Sequence, residues 1–162
     1  MPQPIIKLSQ EPIDTYLLVL TVIGLFILFG LPLLQYDSLP DKIPAHYDAT
    51  GKIDRYGDKN EIWALPLIGF LLTGFLFGVS RFPHIFNYPV KITNENAALQ
   101  YKKATRLLKV LGVVIVFALS FIVHITIQNA KGPAQGMPIY FLPLLLLAIF
   151  GTIGYYLYNA GK

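Results

Sequence analysis

The chain has 162 residues, 54% of them hydrophobic and only 14% charged, against roughly 25% charged in an average soluble domain. The absence of cysteine excludes disulfides, thiolate nucleophiles and Cys-ligated metals. The formal net charge of +4 gathers in one segment beside an apolar run, which points to a membrane surface rather than to nucleic acid.

Four uncharged apolar runs, 16–36, 62–80, 110–130 and 137–161, divide the chain. A helix rises about 1.5 Å per residue and a hydrocarbon core is about 30 Å thick, so each run is long enough, or nearly so, to cross a bilayer. The expectation is an all-α integral membrane protein, a four-transmembrane-helix bundle forming one domain over residues 1–162. Its helices are predicted near 15–36, 62–81, 94–129 and 138–159, with a structured outer loop at 37–61 that contains a short hairpin.

Residues 1–14 read as a Pro-rich polar tail. The first run exceeds the apolar region of a signal peptide, about 7–15 residues, and no small-residue cleavage site follows it, so it predicts a retained helix. It holds Gly24, Gly30 and, near its outer end, Pro32, which frees a backbone carbonyl. The second run begins beside Trp63 and Pro66, and Trp suits a membrane interface. Gly74 and Gly78 have the GxxxG spacing that allows close helix approach, within the bundle or in a homo-oligomer.

Pro83 and Pro89 make the segment 81–92 extended, and Thr93 or Asn94 is placed to cap the next helix. That helix carries Ala97, Tyr101, Ala104 and Leu108 on one face and runs straight into the third span. Lys102, Lys103, Arg106 and Lys109 cluster nearest the membrane, where they set topology and meet the lipid bilayer. The fourth span follows the turn signal Lys131-Gly132-Pro133, has Pro143 near its start, and ends in Tyr155, Tyr156 and Tyr158.

Four spans place both ends of the sequence and the middle loop on one side. That side carries eight basic residues: Lys7, Arg81, Lys91, Lys102, Lys103, Arg106, Lys109 and Lys162. The other side carries five: Lys42, Lys52, Arg55, Lys59 and Lys131. The bias predicts cytoplasmic termini and an external loop 37–61.

The external string 39–66 is LPDKIPAHYDATGKIDRYGDKNEIWALP. Pro40 and Pro44 favour extended backbone, Asp48-Ala49-Thr50-Gly51 signals a turn, and Gly51 accepts positive φ. The flanks 45–48 and 52–55 are predicted to pair as a hairpin, with a second turn at Gly57-Asp58. The string resembles the bacterial membrane family called domain-of-unknown-function 1648, through Leu39-Pro40, Ile43-Pro44-Ala45-His46-Tyr47, Gly51, Asp54 and Gly57-Asp58-Lys59. The stretch 87–101 is similar to members of that family as well. The same domain resembles the front part of Sdp-type immunity proteins, which protect bacteria from a secreted toxin. The resemblance implies a bacterial inner-membrane protein and supplies no established reaction.

His46 lies in sequence among Asp41, Asp48, Asp54, Asp58 and Glu61. An imidazole with carboxylates suits a divalent cation, with His46, Asp48 and Asp54 as the candidate ligands. The same residues equally fit turn caps, a Lys59–carboxylate pair and a histidine bonded to backbone. In the third span Ser120, His124 and Gln128 lie four apart and form one stripe in its outer half. One reading makes His124 the floor and His46 the lid of a polar pocket; the other is interhelical hydrogen bonding, worth about 0.6 kcal/mol on average. No G-x-S-x-G, H-E-x-x-H, phosphate-cradling loop or dinucleotide fingerprint occurs, so no catalytic residue is assigned.

Two functions follow. The first is a non-enzymatic binding, immunity or sensing protein without a cofactor, its partner a peptide toxin or another membrane protein. Its candidate contacts are Asp41, His46, Tyr47, Gly51, Asp54, Lys59, Ser120, His124 and Gln128. The second is a metal-dependent membrane enzyme or small-solute transporter using His46, His124 and the loop carboxylates.

Overall fold

The structure, a computed structural model, describes residues 3–161; Lys162, counted above among the basic residues of one side, lies outside them. Helix α1 (Pro12–Gln35) starts at a proline, which suits a first turn, and the Glu11 amide donates to Asp14 Oδ2 at 3.0 Å. The helix continues through the buried Pro32 and closes in a 3₁₀ turn, Tyr36–Ser38. Strands β1 (Lys42–Tyr47) and β2 (Ile53–Asp58) form an antiparallel hairpin, and a 3₁₀ turn (Lys59–Trp63) leads into α2 (Ala64–Val79). After a short turn at Pro83–Ile85 come α3 (Ala97–Lys131) and α4 (Phe141–Ala160). Among the described residues four helical segments are long and apolar enough to cross a membrane.

Helix α3 is the central element, with α1, α2 and α4 each packed on it. Its 35 residues make a rod about 52 Å long, well beyond an apolar core of about 30 Å, and its first turns are packed against the chain's start and the end of α4, where Tyr101 donates to the Pro4 carbonyl and Gln100 to that of Ala160. Leu28 from α1 and Val116, Val123 and Ile127 from α3 form one buried cluster with Leu39, Ile43 and Ile62 from the 37–63 segment. The hairpin is therefore folded onto the bundle end and shares its core. Polar groups on the helices are absorbed locally: Thr21 Oγ1 donates to the Leu17 carbonyl at 2.9 Å and Thr73 Oγ1 to that of Gly69 at 2.7 Å. Helix α4 buries only Ala160 and otherwise presents apolar side chains outward.

The fold departs from expectation in four places. It is mostly helical rather than all-α, because the hairpin spans 42–58 instead of 45–55. Gly57-Asp58 ends β2 instead of turning, and the Glu61 carboxylate folds over Gly57 into the space that a Cβ would take. Asn96, not Thr93 or Asn94, precedes α3; its Oδ1 accepts from the Thr93 amide at 2.8 Å and its Nδ2 donates to the Lys91 carbonyl at 2.9 Å. Finally, a Cβ added at Gly74 or Gly78 would meet nothing within 4 Å, so the GxxxG face makes no close contact inside the chain.

The basic residues at the start of α3 are also engaged within the chain. Lys102 Nζ lies 2.7 Å from Glu11 Oε1, Arg106 pairs with Glu11 Oε2, and Lys109 Nζ lies 2.8 Å from Asp14 Oδ1. Lys103 Nζ donates to the Asn159 carbonyl at 2.6 Å, tying α3 to the end of α4. These four cations brace the helices, a use that charge counting does not distinguish from contact with headgroups.

Candidate functional site

The hairpin turn is built by one carboxylate. Asp48 Oδ1 accepts from the Thr50 amide at 2.8 Å, the Thr50 hydroxyl at 2.7 Å and the Lys52 amide at 3.0 Å, which holds the acid below the ordinary carboxylate range. Gly51 has φ of 86°, a conformation that favours glycine, and its carbonyl accepts from the Met137 amide at 2.7 Å. The hairpin tip is thereby latched to the loop that enters α4.

That loop is organised by Asn129, which is buried on α3. Asn129 Oδ1 accepts from the Gln135 and Gly136 amides at 2.9 and 3.1 Å, and its Nδ2 donates to the Gly136 carbonyl at 3.0 Å. The same Nδ2 lies 3.3 Å from the Tyr47 hydroxyl, which is also 3.1 Å from Thr126 Oγ1. Tyr47 thus carries the hairpin onto α3.

The pleat sends His46 away from α3. Its Nδ1 lies 2.6 Å from Asp54 Oδ1, with both side chains well exposed. Next to this pair Arg55 Nη2 lies 3.0 Å from Glu61 Oε2 and donates to the Ala45 carbonyl at 3.3 Å. On the far side Lys59 Nζ lies 3.9 Å from Asp41 Oδ1 and 5.2 Å from the centre of the Tyr36 ring.

Between the hairpin, the start of α2, the C-terminal half of α3 and the start of α4 lies a cleft of about 400 Å³. Ile43, Ile62, Leu65, Ile122, Phe141 and Leu142 make it mainly apolar. His46, Tyr47, Asp48, Arg55 and Glu61 supply its charged or titratable lining. An apolar hollow with a few polar groups is the usual form of a binding site.

Of the sequence-predicted residues, His46 and Asp54 are brought together, as are Asp41 and Lys59; Tyr47 and Gly51 hold the hairpin in place. Asp48 is spent on its own turn and does not join the other two proposed metal ligands. Among the described residues no group of three or more His, Asp or Glu side chains could hold a metal ion. Ser120 is buried and donates to the Val116 and Gly24 carbonyls at 2.8 and 3.3 Å, an interhelical role. His124 and Gln128 are exposed, and His124 does not line the cleft, so the pocket with His124 as floor and His46 as lid is not formed. The fold turns Thr126 and Asn129 inward instead. Asn129 had one available signal, its position three residues before Gly132-Pro133, where a side chain that bonds loop amides is useful.

The family model described as "Domain of unknown function (DUF1648)" matches residues 23–70, the C-terminal half of α1, the hairpin and the start of α2. An "Uncharacterized protein" of Archaeoglobus fulgidus is 32% identical over 99 residues, a match that covers 54% of each chain. The chain thus spans about half the length of that relative. No solved structure gives a significant match.

Proposed function

The chain carries a DUF1648 domain, and from that premise we propose that it is a non-enzymatic membrane receptor whose external hairpin recognises an apolar peptide. In this reading the chain crosses the cytoplasmic membrane of a bacterium four times. Both termini are inside and residues 37–61 are outside, as the eight-to-five bias in basic residues favours. The observation that carries the proposal is the cleft: its outer wall is the hairpin of the matched domain, and its interior is mainly apolar. A peptide arriving at the membrane surface would bury apolar side chains against Ile122 and Phe141. Its polar backbone or charged ends would meet His46 and the Arg55–Glu61 pair at the lip.

The likeness to the front of immunity proteins makes the peptide a secreted toxin and the consequence of binding its neutralisation. The test is genetic. Cells lacking the gene are expected to be more sensitive to a secreted apolar peptide toxin, and the wild-type gene is expected to restore survival. Ile122→Trp, which fills the cleft from α3, should reach the membrane in equal amount without restoring it. Equal survival of deleted and parental cells across a toxin panel would remove the immunity reading. The metal-dependent enzyme or transporter is the weaker reading, because Asp54 is the one carboxylate beside His46 and His124 faces elsewhere.

A further inference from the structure

The opposite end of the bundle holds a second pocket of about 390 Å³, between residues 6–10, the start of α1, the end of α2 and the start of α3. Its lining is divided by chemistry. Leu8, Leu18 and Phe77 are apolar, while Lys7, Arg81, Lys102 and Lys109 are cationic, with Asp14 the acid among the lining residues. The charges are unequally compensated. Glu11 and Asp14 are taken up by Lys102, Arg106 and Lys109. Lys7 and Arg81 are exposed, and among the described residues neither side chain has an ion-pair or hydrogen-bond partner. The acids beside the pocket are committed to other cations, and two basic side chains remain free at its edge.

We propose that this pocket binds the phosphate of an anionic glycerophospholipid. Arg81 presents a planar fork that matches phosphate oxygens, and Lys7 adds a mobile point charge beside it. Leu18 and Phe77 lie in the same pocket and supply the apolar wall along which an acyl chain runs. A free phosphate ion has no use for that wall, which favours a lipid over a soluble anion. The paired cluster of Lys102, Arg106 and Lys109 with Glu11 and Asp14 carries three cations against two carboxylates, which leaves one net positive charge beside the pocket. The inference rests on the membrane placement proposed above, with this end at the inner leaflet, and is independent of the hairpin cleft.

Native mass spectrometry of the full chain in detergent, with phosphatidylglycerol, phosphatidylcholine or inorganic phosphate added, tests it. Phosphatidylglycerol is expected to be retained and phosphatidylcholine to be lost. Lys7→Gln with Arg81→Gln should weaken phosphatidylglycerol about 30-fold, the effect of removing two juxtamembrane cations. Neither side chain holds the fold, so the variant stays intact. Lys42→Gln with Lys52→Gln removes the same charge from the hairpin end and should leave retention unchanged. Equal retention of both lipids, an unaffected Lys7/Arg81 variant, or an equal loss in the hairpin-end variant would overturn the site. Displacement of the lipid by millimolar inorganic phosphate would make it a soluble-anion pocket and overturn the lipid assignment. Cysteine labelling in cells reports the membrane placement separately, so a wrong orientation and a missing site give different results.

Discussion

Asn129 makes four hydrogen-bond contacts beside the cleft. It satisfies two amides and a carbonyl of the 135–136 backbone and also reaches the Tyr47 hydroxyl. Removing one partner leaves such groups unpaired, at about 1–3 kcal/mol each where water is excluded. The loop 132–135 is exposed, so water recovers part of this, and Asn129→Ala is expected to cost about 2 kcal/mol in total. Thermal unfolding in detergent should drop by several degrees. His124→Leu should leave the same transition where it was, because His124 is exposed and makes no contact with the cleft. A loss for His124→Leu equal to that for Asn129→Ala would contradict the placement of both residues. The sequence did point to a polar stripe on α3, and one of its three members, Ser120, is buried and bonds to α1. In a soluble helix the apolar stripe marks the inner face. On α3 nearly every face of the apolar run is apolar, so the spacing of Ser120, His124 and Gln128 identifies a common face without saying which way it points. Ser120 turned inward, and the other two did not.

At the scale of elements, legibility followed local chemistry. The turn at 48–51 was readable because an Asp that bonds the amide two residues on and a Gly free to adopt positive φ act within a few residues. The length of the hairpin was not readable, since Gly57 serves the Glu61 side chain and not a turn. The pairing of α1 with α3 was equally hidden: it joins Glu11 and Asp14 to cations some ninety residues away, which composition registers only as net charge. This pairing has a pH signature. Hydrogen bonds from Lys102, then Arg106, hold the Glu11 carboxyl below its ordinary value of 4.5. A carboxylate depressed in the folded state contributes stability above its unfolded value and loses it as pH falls through the folded one. Wild type should therefore be more thermostable than Glu11→Gln at pH 7, and the gap should close as the pH is taken from about 4.5 downward. Parallel melting curves across that range would show that the α1–α3 brace contributes no pH-dependent stability.

For the whole molecule, the four long apolar helices were legible from length and hydropathy, because a bilayer imposes one simple rule on every span. What the spans surround was not, since the cleft arises from side chains at 43–65, 122–126 and 137–142 that meet only after folding. The bias in basic residues predicts the orientation, and the absence of cysteine lets single introduced cysteines test it. Ala49 at the hairpin tip and Asn94 before α3 are exposed and lie toward opposite ends of the bundle. Ala49→Cys should react with a membrane-impermeant maleimide in intact cells, whereas Asn94→Cys should react only after the membrane is opened. The reverse pattern would put the hairpin cleft in the cytosol, where a secreted peptide cannot reach it, and would move the basic pocket to the outer leaflet. Labelling of both positions in intact cells would mean that the helices do not cross the membrane in alternation. Because both positions are exposed in the folded chain, a difference in labelling between sealed and opened cells reports the membrane barrier rather than burial within the protein.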